Sequence, residues 1–253
     1  MSRISKGRYV ARFAQSEQDL RAAQALRYRA FPRPSAGQGA APERAGLDAD
    51  AFDPLCRHVL VEEAESGRLV CCYRLLPLAG GAEISRSYAA QYYELSGLSE
   101  FEGPMVEVGR FCVDPDLTDP DIPRIAWAAL TRFVDANGVR MLFGCSSFKG
   151  TETEAYGDAF ALLKARHLGP QRLRPKVKAP NVFRFAQRLR RKPDPKRGLR
   201  AMPPLLRSYL MMGGWVSDHA VVDRELDTLH VFTGLDIGAI PAARKRLLRA
   251  AAG

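Results

Sequence analysis

The sequence predicts a mixed α/β fold, one sheet flanked by helices with an antiparallel front half. Three observations predict it. Apolar residues recur at helical spacing in two well-marked segments. Short apolar, β-rich runs bounded by turn residues lie between and after them. The chain of 253 residues is 46% hydrophobic, enough to bury one sizeable core, and a single domain over residues 1–253 is expected.

Ser16 with Asp19 three residues on resembles a capping box, and Leu20, Ala23, Arg27 and Ala30 follow at helical spacing, so the first helix is expected over 17–30. Pro32, Pro34 and Gly37 stop it, and a Pro, Gly and Ala-rich loop runs to about Gly46. Two strand-like runs, His58 to Glu62 and Leu69 to Leu76, flank Ser66 and Gly67 and read as a hairpin. A short helix is expected around Ala89 to Glu94, then a third strand over Met105 to Val113. Asp121 is expected to cap a second helix, in which Ile122, Ile125, Ala126, Ala129, Leu130, Phe133 and Val134 hold one face until Gly138 ends it. A strand over Val139 to Phe148 follows, and Thr151 with Glu154 opens a third helix to about Leu168. Pro203 to Met212 reads as a short helix, with Trp215 to Val222 and Thr228 to Leu235 as the last strands.

Composition excludes several classes. The apolar share excludes disorder, no apolar run nears the ~18 residues of a spanning helix, and Met1 to Arg12 carries charges where a signal peptide needs an apolar stretch. A soluble, cytoplasmic protein is expected, with peripheral contact at the inner membrane face as an open alternative. Five cysteines without a C-x-x-C spacing fit reduced thiols, and the four scattered histidines predict no metal site. The formal charge of +10 is uneven. Between Lys164 and Arg200 fourteen Lys or Arg face one acid, Asp194, a local +13 that leaves −3 for the rest of the chain. Such a segment, 164–200, attracts polyanions: lipid headgroups, nucleic acid or an acidic protein.

Alternation along Val70, Cys72, Arg74 and Leu76 puts a guanidinium on an otherwise apolar strand face. Arg74 therefore needs a partner, either a structural carboxylate or a substrate anion. Glu107 lies between Val106 and Val108, and Gly109 precedes Arg110. A bulge at Gly109 would re-aim Arg110 and splay the neighbouring strand, whereas a plain reading leaves Glu107 on a half-exposed strand. Asp48, Asp50 and Asp53 suit a cationic ligand or a solvated loop. No G-x-S-x-G elbow, phosphate loop or strand-following G-x-G-x-x-G is present.

The segments Leu26 to Phe31, Asp50 to Asp53, Tyr73-Arg74-Leu75 and above all Glu107 to Asp114 together resemble the acyl-homoserine-lactone synthases of the GNAT acyltransferase superfamily. Leu142 to Phe148, Pro203 to Leu210 and Ala220 to Asp223 are more similar to the ornithine–acyl carrier protein N-acyltransferases of ornithine-lipid synthesis. The likeness runs from about Arg12 to Leu235 and implies a GNAT-like mixed sheet with splayed central strands. It implies transfer of a 3-hydroxyacyl group from acyl carrier protein to the α-amine of ornithine, with no tightly bound cofactor and the carrier's phosphopantetheine arm as donor. The basic segment then has an acidic partner, and Lys176, Lys178, Arg188 and Arg191 are its candidate contacts. The usual pyrophosphate loop, [RQ]-x-x-G-x-[GA], is replaced by Asp114 to Arg124, which lacks Gly-rich donors and carries four acids, so coenzyme A is disfavoured as donor.

By resemblance and by its apolar flanks, Glu107 is the candidate base for the amine, with Ser146 as an oxyanion helper beside a strand N–H. Arg74 or Arg110 can hold the amino acid carboxylate, while Asp50 and Asp53 can take the side-chain ammonium or brace Arg27 and Arg74. Autoinducer synthesis from S-adenosylmethionine is an alternative, disfavoured because those synthases carry a Trp shortly after the residue matching Phe31, where this chain has Pro32, Arg33 and Pro34. Acylation of another amino acid such as glutamine also stays open. A non-catalytic binder of membrane or nucleic acid leaves Glu107, Arg74 and Arg110 without a role, and no nucleic-acid partner is expected.

Overall fold

A computed structural model describes residues 3–31 and 46–252. The loop expected between Pro32 and Gly46 thus lies almost wholly outside the described residues. The chain opens with a hairpin, β1 (Ile4–Lys6) and β2 (Tyr9–Phe13), which alternating charges hid from sequence reading. Helix α1 (Glu17–Ala30) begins as expected, with Ser16 Oγ accepting the Asp19 amide. The predicted hairpin is β3 (Arg57–Glu63) and β4 (Leu69–Leu78). Ala89–Gln91 is a single 3₁₀ turn before the short strand β5 (Tyr93–Glu94), and β6 (Met105–Val113) matches its expected bounds.

Helix α2 (Asp121–Ala136) corrects one expectation: Asp121 is its first residue and Pro120 its N-cap, while Asp119, just before them, accepts the Asp121 amide at 2.9 Å through Oδ1. Strand β7 (Met141–Lys149) is followed by a 3₁₀ turn, so that α3 (Gly157–Arg166) starts later than Thr151 and ends earlier than Leu168. The basic segment is ordered in short pieces: β8 (Lys176–Val177), β9 (Val182–Phe183), α4 (Phe185–Arg188) and α5 (Pro195–Ala201). Helix α6 (Pro204–Met211) follows. The strand expected over Trp215 to Val222 is broken into β10 (Trp215–Val216) and β11 (Ala220–Asp223), because Ser217 turns its hydroxyl onto the His219 carbonyl at 2.7 Å. Strand β12 (Thr228–Asp236) and a terminal helix, α7 (Ala242–Ala252), complete the chain.

The fold comprises two compact units, Met1–Pro77 with Val108–Val139 and Ala242–Gly253, and Leu78–Glu107 with Arg140–Pro241. The first is built on the antiparallel run β1-β2-β3-β4 with β6 beside β4. Ala23 and Leu26 of α1 pack there on Leu60, Cys72 and Cys112. The α2 stripe read from the sequence is buried, and Tyr73 donates its hydroxyl to the Ala126 carbonyl at 2.9 Å. The second unit orders its strands β6-β7-β12-β11-β9, with β10 on β12. Its core gathers Phe148, Phe160, Phe185, Leu206, Leu229 and Val231. Strand β6 serves both units: Met105 to Glu107 pair in parallel with Met141 to Phe143, and from Val108 the strand belongs to the first unit. The result is the large mixed sheet flanked by helices that the sequence predicts. No helix among the described residues is long and apolar enough to cross a membrane.

Candidate active site

In the first unit, the five residues singled out for acceptor binding come together with Asp48 in one ion network. Arg27 on α1 donates to both carboxylate oxygens of Asp53, at 2.8 and 2.7 Å, and its Nε lies 3.1 Å from Asp48 Oδ2. A further Arg27 bond reaches the Asp48 carbonyl, and Gln24 adds a third donor to Asp53 at 2.8 Å. Arg74 forks onto Asp50 at 2.6 and 2.9 Å and touches Asp53 at 2.8 Å. Arg110 reaches Asp48 at 3.1 Å and Asp50 at 3.3 Å. Three guanidinium groups face three carboxylates, so the network is balanced, and the partners found for Arg74 are the protein's own Asp50 and Asp53.

Its members are not equally buried. Arg27, Arg74 and Asp53 are 1%, 3% and 3% exposed, whereas the side chains of Asp50 and Arg110 keep 23% and 13%. Burial alone would raise the carboxyl groups of Asp50 and Asp53. The bonds and charges of Arg74 on Asp50, and of Arg27 on Asp53, outweigh it and hold both below the usual carboxylate range. Burial lowers His58, whose Nε2 lies 3.0 Å from the Asp53 carbonyl.

The irregularity expected at Gly109 sits on Arg110 itself, whose φ of +52° is left-handed, a conformation uncommon outside glycine. A Cβ at Gly109 would stand 3.4 Å from Arg74 Nε, an ordinary contact, so the buried guanidinium packs closely over this position.

In the second unit, Glu107 is 4% exposed, which removes the reading as a surface residue. Its two oxygens accept the backbone amides of Tyr88 and Ala89, each at 2.7 Å, at the start of the 3₁₀ turn. That turn is braced by β8. Tyr93 and Glu94 pair with Val177 and Lys176, the Ala179 amide donates to the Tyr92 carbonyl at 3.0 Å, and Lys178 Nζ donates to the Ala90 carbonyl at 2.6 Å.

Three of the four cations chosen for carrier docking therefore hold the chain to itself: Lys178, Lys176 at 3.5 Å from Glu94, and Arg191, which pairs with Asp158. Arg188 is exposed at the end of α4. Ser146 also needs correction. Glu107 shares a face with its cross-strand partner Phe143, and alternation places Ser146, three residues on, on the opposite face. There it accepts from Thr233 Oγ1 at 2.9 Å, 4% exposed, and its position does not support an oxyanion role beside Glu107.

Sequence reading missed an aromatic and histidine cluster in this unit. Tyr88 and Tyr92 join hydroxyls at 3.3 Å, the Tyr92 ring meets His230 edge-on at 5.0 Å, and Tyr93 lies between His219 and His230. Burial pushes His230 down to about 3, so its imidazole is neutral. Only the Tyr-Tyr pair at 92 and 93 could have flagged it.

The turn entering α2 belongs to the first unit. Its acids are matched: Asp114 by Arg68 at 2.8 Å and Arg29 at 3.3 Å, Asp116 by Arg29 at 4.0 Å, Asp119 by Arg8 at 2.7 Å, and Asp121 by Arg124 at 2.7 Å. Charge repulsion is thus a weaker argument against coenzyme A than the sequence suggested. The amides make a better one. Those of Asp116 and Leu117 bond to Asp114, those of Asp121 and Ile122 bond to Asp119, and Pro115, Pro120 and Pro123 carry none.

This mixed sheet, with its buried carboxylate on the central strand, is that of a GNAT-type acyltransferase, and residues 26–128 match the acetyltransferase (GNAT) domain family. A curated relative from Rhodobacter capsulatus, an L-ornithine N(alpha)-acyltransferase, is 35% identical over 92% of this chain and 91% of its own length. The enzyme of the same name from Rhizobium meliloti is 33% identical over 90% of this chain and 80% of its own. An acyl-homoserine-lactone synthase of Agrobacterium fabrum is 36% identical over 35% of this chain and 42% of its own. The chain belongs to the L-ornithine N(alpha)-acyltransferase family.

Proposed function

We propose that this protein moves a 3-hydroxyacyl group from acyl carrier protein to the α-amine of L-ornithine, the first step toward an ornithine lipid. The observation that carries the reading is the 35% identity to a relative of that name over 92% of the chain.

An α-ammonium cannot attack a thioester until it loses a proton. Glu107 is the residue for that task. The two backbone amides fix its carboxylate in place. The freed amine adds to the thioester carbonyl, and backbone N–H groups of the strand following Glu107 suit the oxyanion. Collapse breaks the C–S bond and forms the amide; the proton that Glu107 took from the ammonium passes to the departing phosphopantetheine thiolate, and the second nitrogen proton leaves through the freed carboxylate. In the ion network, Arg110 and Asp50 keep the most exposure and suit the acceptor's carboxylate and side-chain ammonium. Arg27, Arg74 and Asp53 suit bracing.

The tied-up amides before α2 favour a protein-borne donor, since a nucleotide pyrophosphate finds few backbone donors there. The test incubates the pure protein with the 3-hydroxyacyl group on carrier protein or on coenzyme A, together with ornithine, lysine, glutamine or S-adenosylmethionine. Mass spectrometry should find N-acylornithine from the carrier-protein donor. Absence of that product, or equal rates with coenzyme A, would overturn the acceptor or the donor assignment respectively.

A further inference from the structure

We infer that α7 is a docking surface for an anionic lipid bilayer. From Ile237 to Ala252 the chain contains Arg244, Lys245, Arg246 and Arg249 and no acid. Arg249 ties the helix to α2 through two bonds to Asp135, at 3.0 and 2.9 Å. Lys245 and Leu248 are half-buried. A surface helix ordinarily turns its apolar stripe inward. Here the stripe Ala243, Leu247 and Ala250, at i, i+4 and i+7, is exposed, and Leu247 is 65% exposed. Arg244 and Arg246, also exposed, stand in sequence beside this stripe.

A leucine among guanidinium groups on an acid-free helix matches a bilayer surface, where the apolar side chain enters the acyl boundary and the cations meet phosphates. An acidic protein would satisfy the charges but would leave the small stripe without an assigned use. The purpose rests on the proposed function: an amino acid carrying one long acyl chain belongs in a membrane, and a docked enzyme releases it there.

The test floats the full chain with vesicles of phosphatidylcholine alone or with phosphatidylglycerol. Binding should require phosphatidylglycerol. It should weaken about thirty-fold in Arg244→Ala/Arg246→Ala, roughly five-fold per cation. Leu247→Ser should weaken it about ten-fold. Turnover of soluble substrates and thermal melting should stay at wild-type values, and Arg188→Ala/Arg190→Ala should bind vesicles as the wild type does. Four results would overturn the inference: no vesicle binding by the wild type, unchanged binding in the α7 variants, a raised KM for acyl carrier protein without vesicles, or a dimer that these variants dissociate. Flotation uses no substrate, so its failure is separable from a failed acylation assay.

Discussion

Replacing Arg74 by Met removes a buried cation while keeping most of its volume, and the structure fixes where the cost falls. Asp53 keeps both Arg27 bonds and Gln24. Asp50 loses a bidentate partner and keeps Arg110 at 3.3 Å and the Phe52 amide at 2.9 Å. Removing one member of a buried pair costs about 3–5 kcal/mol, and the partial exposure of Asp50 puts the expected loss near the lower end, about 3 kcal/mol. For a chain of this size that lowers Tm by roughly 6–12 °C. The loss should depend on pH. Asp50 and Asp53 have depressed folded pKa values, so their contribution is fully present above the unfolded value of about 4 and is lost as pH falls through the folded values. Arg74→Met weakens that depression, so the gap between variant and wild type should be widest at neutral pH and narrow as pH drops below about 4. Urea denaturation followed by circular dichroism measures the gap, and acceptor KM is measured alongside. A gap below about 1 kcal/mol with a raised KM would make Arg74 a substrate group and refute the bracing role; a pH-independent gap would refute its electrostatic origin.

Glu107→Gln, whose NH2 cannot accept one of the two backbone amides, should cost about 1–3 kcal/mol yet still fold, and should lose most activity at neutral pH, with partial recovery at higher pH as free amine becomes available; full activity at neutral pH would remove Glu107 from the chemistry. Reversing the exposed cations Arg188, Arg190 and Lys192 to Glu should raise KM for acyl carrier protein and barely change turnover of a short acyl-pantetheine thioester. Equal losses with both donors would place those residues in the fold. Gly234→Ala should cost about 1–3 kcal/mol, because a Cβ there would run into the Trp215 indole, and wild-type melting would show that the ring can move aside.

Local signals in the sequence were good guides where one segment carried the whole cause. Ser16 and the spacing after it define α1, and the apolar stripe defines α2, because a cap and a period are local. The ion network was half legible. Alternation showed that Arg74 needs an anion, yet its partners lie 21 and 24 residues away and those of Arg110 lie 60 and 62 away. The amides that hold Glu107 were invisible, since a backbone N–H has no residue type. The second attachment of the docking lysines was invisible for a related reason: Lys178 donates to a carbonyl oxygen, and a charge count does not show which cations also hold a turn. Strand β1 was missed because a short edge strand tolerates charge, β2 because its apolar run is short, and α7 because alanine fills most of its apolar positions.

The balanced network at residues 27, 48, 50, 53, 74 and 110 also constrains how this sequence can vary. With three cations and three anions interlocked, losing one member strands a charge in the interior. Descendants of this chain are therefore expected to keep all six or to replace them in matched pairs. Arg110 adds a further restriction. Its left-handed backbone penalises β-branched replacements, so Gly or Asn, paired with neutralisation of Asp48 or Asp50, is the least obstructed way out. Drift at these positions should be rare and correlated, whereas the exposed Lys196 and Arg200 on α5 are free to change one at a time.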